Sequence, residues 1–158
     1  MEIERKFLVG ELPPAHASAP SARLRQGYLL VAPEGSARLR DADGARTLTV
    51  KSGSGLVRSE HEITITRDQF EALWPATAGR RLEKRRYRMP AGDLTFEVDV
   101  FEGDLRGLVL VEVEFESEAA ATAFVPPVWF GTEVTDDPAY TNASLATRGR
   151  AADEAASR

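Results

Sequence analysis

Along the first seven residues, MEIERKF, charged side chains fall on alternate positions: Glu2, Glu4 and Lys6. The same spacing returns in Arg38 and Arg40, Glu60 and Glu62, Lys84 and Arg86, Glu97 and Asp99, and Glu112 and Glu114, while Lys51 alternates with Thr47 and Thr49. Residues two apart in a strand share a face, so each run delivers its charges to one side. Same-sign pairs repel unless an opposite charge or an ion lies between them. Arginine and lysine suit phosphate oxygens, and carboxylates suit a hard divalent cation such as Mg²⁺ or Mn²⁺. A polyphosphate carrying a divalent metal matches both sets.

Composition removes several other chemistries. The 158 residues include no cysteine, which excludes disulfides, thiolate metal sites and cysteine nucleophiles, and only two histidines, His16 and His61. The net charge of −5 argues against generic nucleic-acid binding. No apolar run approaches the length of a membrane span, and the N-terminus lacks the basic and apolar regions of a secretory signal. A cytoplasmic single-domain protein is expected.

These charges need strands to position them. Turn-forming Gly, Pro, Asp and Ser clusters separate eight candidate strands, near 2–9, 23–31, 36–41, 46–51, 58–66, 82–89, 94–101 and 108–116. DADG at 41–44 reads as a tight hairpin turn, SGSG at 52–55 as a flexible loop, and the Pro/Ala segment 12–22 as a loop. Three helices are expected: one capped by Thr66 with Gln69 in a capping box, one capped by Ser117 and stopped by Pro126 and Pro127, and one from Asp137 to about Arg148. Residues 1–148 would form the domain and 149–158 a flexible tail.

Opposite the charges lie Ile3 and Phe7, Leu48 and Val50, Ile63 and Ile65, Phe96, Val98 and Val100, and Val109, Val111, Val113 and Phe115. An ordinary sandwich would solvate the charged face. A closed barrel would turn the apolar face outward under the helices and the charges inward, where they demand counter-species because burying an unpaired ion costs several kcal/mol. The fold class expected is α+β: an eight-stranded antiparallel closed β-barrel with helices packed on its outside.

EIERKF resembles the Glu-x-Glu-x-Lys signature of the CYTH superfamily, the triphosphate tunnel metalloenzymes. The likeness continues in order through QGYL (26–29), ARLR (37–40), LTVKSG (48–53), RSEHEI (58–63), EKRRY (83–87), FEVDVF (96–101), VEVEFES (111–117) and GTEVTDDPAYTNASLA (131–146), covering about residues 1–147. It is closest in kind to compact bacterial members. The resemblance implies a triphosphate-binding tunnel with two Mg²⁺ or Mn²⁺ ions. By it, Lys6, Arg38, Arg40, Lys51, Lys84 and Arg86 cradle phosphate, with Arg58 contacting phosphate or pairing with a tunnel acid. Glu2, Glu4, Glu112 and Glu114 match metal-binding carboxylates, and Glu60, Glu62, Glu97 and Asp99 divide between metal and bases. Lys6, Glu4, Arg40 and Lys84 are expected to carry catalysis.

The reaction expected is metal-dependent hydrolysis of inorganic tripolyphosphate to pyrophosphate and phosphate. The alternatives are a class IV-type adenylyl cyclase, a nucleoside or thiamine triphosphatase, and a non-catalytic polyphosphate or nucleotide binder. The partner expected is a small polyphosphate or triphosphate, not nucleic acid or membrane, with a homodimer left open. Period two places Arg88 with Lys84 and Arg86, and Arg85 and Tyr87 on the other side. Tyr28 reads as a buried structural tyrosine, His61 as surface or packing, His16 as solvated, and Trp74 and Trp129 as packing on the outer wall.

Overall fold

The computed structural model describes residues 3–54 and 57–149. Nine antiparallel strands form one sheet: β1 (Ile3–Val9), β2 (Ser21–Ala32), β3 (Gly35–Ala42), β4 (Ala45–Ser54), β5 (Val57–Thr64), β6 (Arg81–Ala91), β7 (Leu94–Phe101), β8 (Val109–Phe115) and β9 (Phe130–Glu133). Their order across the sheet is β5-β4-β3-β2-β6-β7-β8-β1-β9. Three short helices accompany them, α1 (Arg67–Leu73), α2 (Glu118–Ala123) and α3 (Asn142–Arg148), so the fold is α+β. No helix among the described residues is long and apolar enough to cross a membrane.

The eight expected strands are present, but a ninth joins them, and β5 and β9 stand as edges rather than closing the sheet into the expected barrel. Strand β9 is four residues long and follows the Pro126–Pro127 loop, too short to show alternation. It pairs with β1, and a Cβ on Gly131 would stand 2.8 Å from the Leu8 carbonyl oxygen, so glycine permits that approach. SGSG is not a free loop through its first residues: β4 pairs through Ser54, which opposes Val57. DADG makes the tight turn, with Asp43 and Gly44 both at positive φ. Segment 12–22 holds a short 3-10 turn, Pro14–Ser18, and His16 is half-buried there, its ring edge-on to Tyr87 at 5.1 Å.

Helix α1 carries its capping box, with Thr66 Oγ1 accepting from the Gln69 amide at 3.1 Å and Gln69 Oε1 accepting from the Thr66 amide at 2.8 Å. It seats Phe70 and Trp74 over Leu39, and Leu48 and Ile65 complete that cluster on the outer face. Arg25 and Arg81 stack on Trp74 at 4.7 and 4.5 Å. Helix α2, capped by Ser117, lies over β1 and β8 beside a second outer cluster of Phe7, Phe96, Val98, Val111, Val113, Phe115 and Phe130. Trp129 packs at its margin.

A third cluster occupies the other face of the sheet. Leu8, Tyr28, Leu82, Phe101 and Leu110 come from five strands and meet Leu145 and Ala146 of α3. β1 and β2 are separated by β6, β7 and β8 in the sheet, yet both reach this cluster, so the sheet curls around it. The inner face is therefore charged along part of its length and plugged by apolar side chains beyond. The single helix expected from Asp137 is instead two pieces: a 3-10 turn, Pro138–Tyr140, capped by Asp137, and α3, capped by Thr141.

Candidate active site

Register places the charged residues on the inner face. Lys84 opposes Leu24 and Phe101, Arg86 opposes Asp99, Arg88 opposes Glu97, and Glu97 opposes Glu112, which in turn opposes Lys6. Across the sheet, Arg38 opposes Tyr28 and Arg40 opposes Gln26. Arg85 and Tyr87 fall on the outer side, as the alternation requires.

The deepest charge is Lys84, with a side chain 1 % exposed and Nζ 2.8 Å from Asp99 Oδ2. Arg86 grips the same carboxylate with two donors, Nε to Oδ1 at 2.8 Å and Nη2 to Oδ2 at 3.0 Å. Burial alone would raise the Asp99 pKa, but the charge of Lys84 and the hydrogen bonds and charge of Arg86 outweigh it and hold the group at about 2. Burial likewise opposes the charge of Arg86, and Asp99 reverses the balance and raises its pKa. Lys84 shares its partner with Arg86, so burial prevails and its pKa is lowered.

On the opposite wall the cations have fewer acids. Burial first, then Arg38 and Arg86, lower the Arg40 pKa. Arg40 Nε donates to the neutral amide Gln26 at 3.0 Å, and Gln26 Nε2 donates to the Tyr28 hydroxyl at 3.1 Å. Gln26 is 0 % exposed, so this relay is sealed. Arg38 Nε is buried without a hydrogen-bond partner among the described residues. A buried unsatisfied donor on a charged group is expensive. Arg40, Arg86 and Arg88 line a recess of about 240 Å³ beside Leu24.

The carboxylates divide into three groups. Asp99 is spent on Lys84 and Arg86; Glu97 pairs with Arg86 at 3.4 Å and Arg88 at 3.2 Å. Glu4 faces Glu114 directly across the β1–β8 ladder, and Glu112 lies 3.8 Å from Lys6 Nζ. Glu60 and Glu62 are exposed on edge strand β5, where Glu60 opposes Lys51 and Glu62 Oε1 accepts from the buried Thr49 hydroxyl at 2.9 Å. A cleft of about 1030 Å³ lined by Arg88, Glu97 and Glu114 opens where β6 turns into β7, beside the end of β8. Glu2 and the side chain of Arg58 lie outside the described residues. The structure thus brings Lys6, Arg38, Arg40, Lys84, Arg86 and Asp99 onto one wrapped face and sets Lys51, Glu60 and Glu62 at its exposed edge.

Two contacts were not anticipated from sequence. Lys6 Nζ donates to the Tyr140 carbonyl at 3.1 Å, and Lys84 Nζ donates to Asn142 Oδ1 at 3.2 Å. Neutral groups such as Gln26, Asn142 and a backbone carbonyl leave no charge pattern to follow.

The chain is similar to known proteins over most of its length. The CYTH domain family model matches residues 1–128. A relative named inorganic triphosphatase, from Nitrosomonas europaea, is 54 % identical over 148 residues, covering 92 % of this chain and 96 % of its own. A second of that name, from Acetivibrio thermocellus, is 37 % identical over 147 residues, covering 91 % and 92 %. A crystal structure described as an inorganic triphosphatase superposes with a TM-score of 0.79 at 48 % identity, over 96 % of this chain and 97 % of that one. A putative adenylate cyclase from Bacillus halodurans superposes at 0.54 with 18 % identity, over 77 % and 84 %, which is a likeness of fold alone.

Proposed function

The chain belongs to the CYTH domain family, and on that footing we propose that it is a hydrolase splitting inorganic tripolyphosphate into pyrophosphate and phosphate on the charged inner face of its sheet. The observation that carries this reading is the group Arg38, Arg40, Lys84 and Arg86, in which Lys84 is buried and the three arginines are half-buried, Arg38 Nε has no hydrogen-bond partner among the described residues, and Arg40 leans on a neutral amide. A chain of phosphates supplies the acceptor oxygens that such a cluster needs. The names of the relatives, which cover nearly the whole chain, support the same substrate.

The donor chemistry also fits a divalent cation. Glu4 and Glu114 stand in direct register on β1 and β8, which sets two carboxylates side by side on the inner face. Among the described residues no three acids or histidines form a ready cage. Mg²⁺ is commonly held by one or two carboxylates together with substrate phosphates rather than by a protein cage. Glu4, Glu112 and Glu114 would hold it, with Glu2 beside them in sequence, and Glu60 and Glu62 would offer oxygens for a second ion. When bound, Mg²⁺ or Mn²⁺ polarises phosphoryl oxygens and lowers the pKa of an attacking water.

The residues of the chain do the rest. Arg38, Arg40 and Arg86 bind the phosphates and offset charge on the transferring group, where most catalysis of phosphoryl transfer arises. Lys6 and Lys84 provide compact charges from opposite sides of the inner face. Lys51 would guide the anion at the exposed edge. Asp99 serves as counter-ion to Lys84 and Arg86 and positions both. The curled sheet acts as the wall of a tunnel around the substrate.

The test is phosphate release from tripolyphosphate, ATP, GTP, thiamine triphosphate and pyrophosphate, with Mg²⁺, Mn²⁺ or EDTA. Tripolyphosphate should turn over fastest, give one pyrophosphate per phosphate, and stop with EDTA. Cyclic AMP from ATP, or binding of tripolyphosphate without turnover, would replace the hydrolase reading.

A further inference from the structure

Tyr140 and Asn142 flank Thr141 where the 3-10 turn passes into α3, and each reaches a different lysine of the inner face. The Tyr140 carbonyl accepts from Lys6, on β1, and Asn142 Oδ1 accepts from Lys84, on β6. Two strands, β7 and β8, separate β6 from β1 in the sheet. One short turn therefore spans the curl and ties its two walls together through the lysines. We propose that this turn is a positioning device for phosphoryl transfer, in which Asn142 fixes the Lys84 ammonium so that one of its donors meets the substrate.

The donor count supports this. An ammonium carries three N–H groups on a flexible stem. Asp99 takes one and Asn142 a second; among the described residues the third has no acceptor, and a phosphate oxygen entering beside the enclosed ammonium, 1 % exposed without substrate, would take it. Two fixed partners define the direction of the remaining donor, whereas Asp99 alone would let the head group swivel. A neutral amide does this without subtracting from the positive charge of the cradle. The turn itself is held firmly: Asp137 Oδ1 accepts from the Ala139 amide at 3.0 Å, Thr141 Oγ1 accepts from the Ser144 amide at 3.1 Å, and Leu145 and Ala146 are buried in the inner cluster. Asn142 acts through Lys84, so it is a positioning residue rather than a catalytic one.

The proposal rests on the triphosphatase reading, and two variants separate the two. Asn142→Leu keeps the bulk and loses the acceptor oxygen; Asn142→Asp keeps the oxygen and adds a negative charge. With tripolyphosphate and Mg²⁺, Asn142→Leu should lose about tenfold or more in kcat, the size of one hydrogen bond to a charged group. Asn142→Asp should keep kcat within about threefold while its KM rises, because its charge opposes the substrate. A purely structural role predicts that both variants lose kcat alike, in step with their melting temperatures. That result, or wild-type kcat in Asn142→Leu, overturns the proposal. Failure of the unmodified chain to release phosphate overturns the triphosphatase reading instead.

Discussion

Lys84 and Asp99 form an ion pair at 2.8 Å with side chains 1 % and 8 % exposed, and Arg86 completes the trio from two residues further along β6. Removing one member of a buried pair leaves an uncompensated charge, at a cost of about 3–5 kcal/mol. Asp99→Ala should therefore lower stability by that order and disorganise both bases, and urea unfolding with a parallel activity assay checks it. Retained stability would mean that solvent reaches this trio.

The same carboxylate sets a pH dependence. Its pKa falls from 3.8 to about 2 on folding, so the folded state binds its proton less readily than the unfolded chain. Its contribution, about 2 kcal/mol, is complete above pH ~4 and is lost as pH falls from there towards 2. Unfolding free energy should decline over this window in the unmodified chain and less steeply in Asp99→Asn.

Arg38 predicts a separation of stability from function. Its Nε has no hydrogen-bond partner among the described residues, and its charge disfavours that of Arg40. Arg38→Met should leave the melting temperature unchanged or higher while weakening tripolyphosphate turnover by about 10–100-fold, the range of a hydrogen bond to a charged group. A large loss of stability would instead make Arg38 part of the scaffold.

The outer wall offers a test of packing. Gly27 lies under the turn Trp74–Thr77, and a Cβ there would stand 2.6 Å from Thr77 Oγ1 and 2.9 Å from the Trp74 ring. Thr77 is held by Trp74 and Arg81 through hydrogen bonds of 2.7 and 2.8 Å, so it has little room to yield. Gly27→Ala should cost about 1–3 kcal/mol, the range for overpacking a filled site. Thermal unfolding measures it.

Much of this site is legible in the chain because strands alternate with period two. The pattern assigns Lys84, Arg86 and Arg88 to one face and Arg85 and Tyr87 to the other, and the ladders have them so. What escapes is neutral or local. Asn142 meets Lys84 across 58 positions with no charge to mark it, and Gln26 is recognisable only once Arg40 lies opposite. Thr141 divides the last helix because its hydroxyl caps a new first turn, a competition that Asp137 and Pro138 conceal. The inner apolar cluster is hidden too, since each strand adds a single residue to it at the end of a charged run.

The most direct test is the turnover of tripolyphosphate by Lys6→Ala beside the unmodified chain, with Mg²⁺ present and melting temperatures matched. Lys6 holds the turn before α3 through the Tyr140 carbonyl and stands 3.8 Å from Glu112, so it joins the phosphate-binding and acidic parts of the face. The unmodified chain should release phosphate rapidly, and the variant should lose several orders of magnitude with its fold intact. Equal rates in the two would contradict the triphosphatase reading.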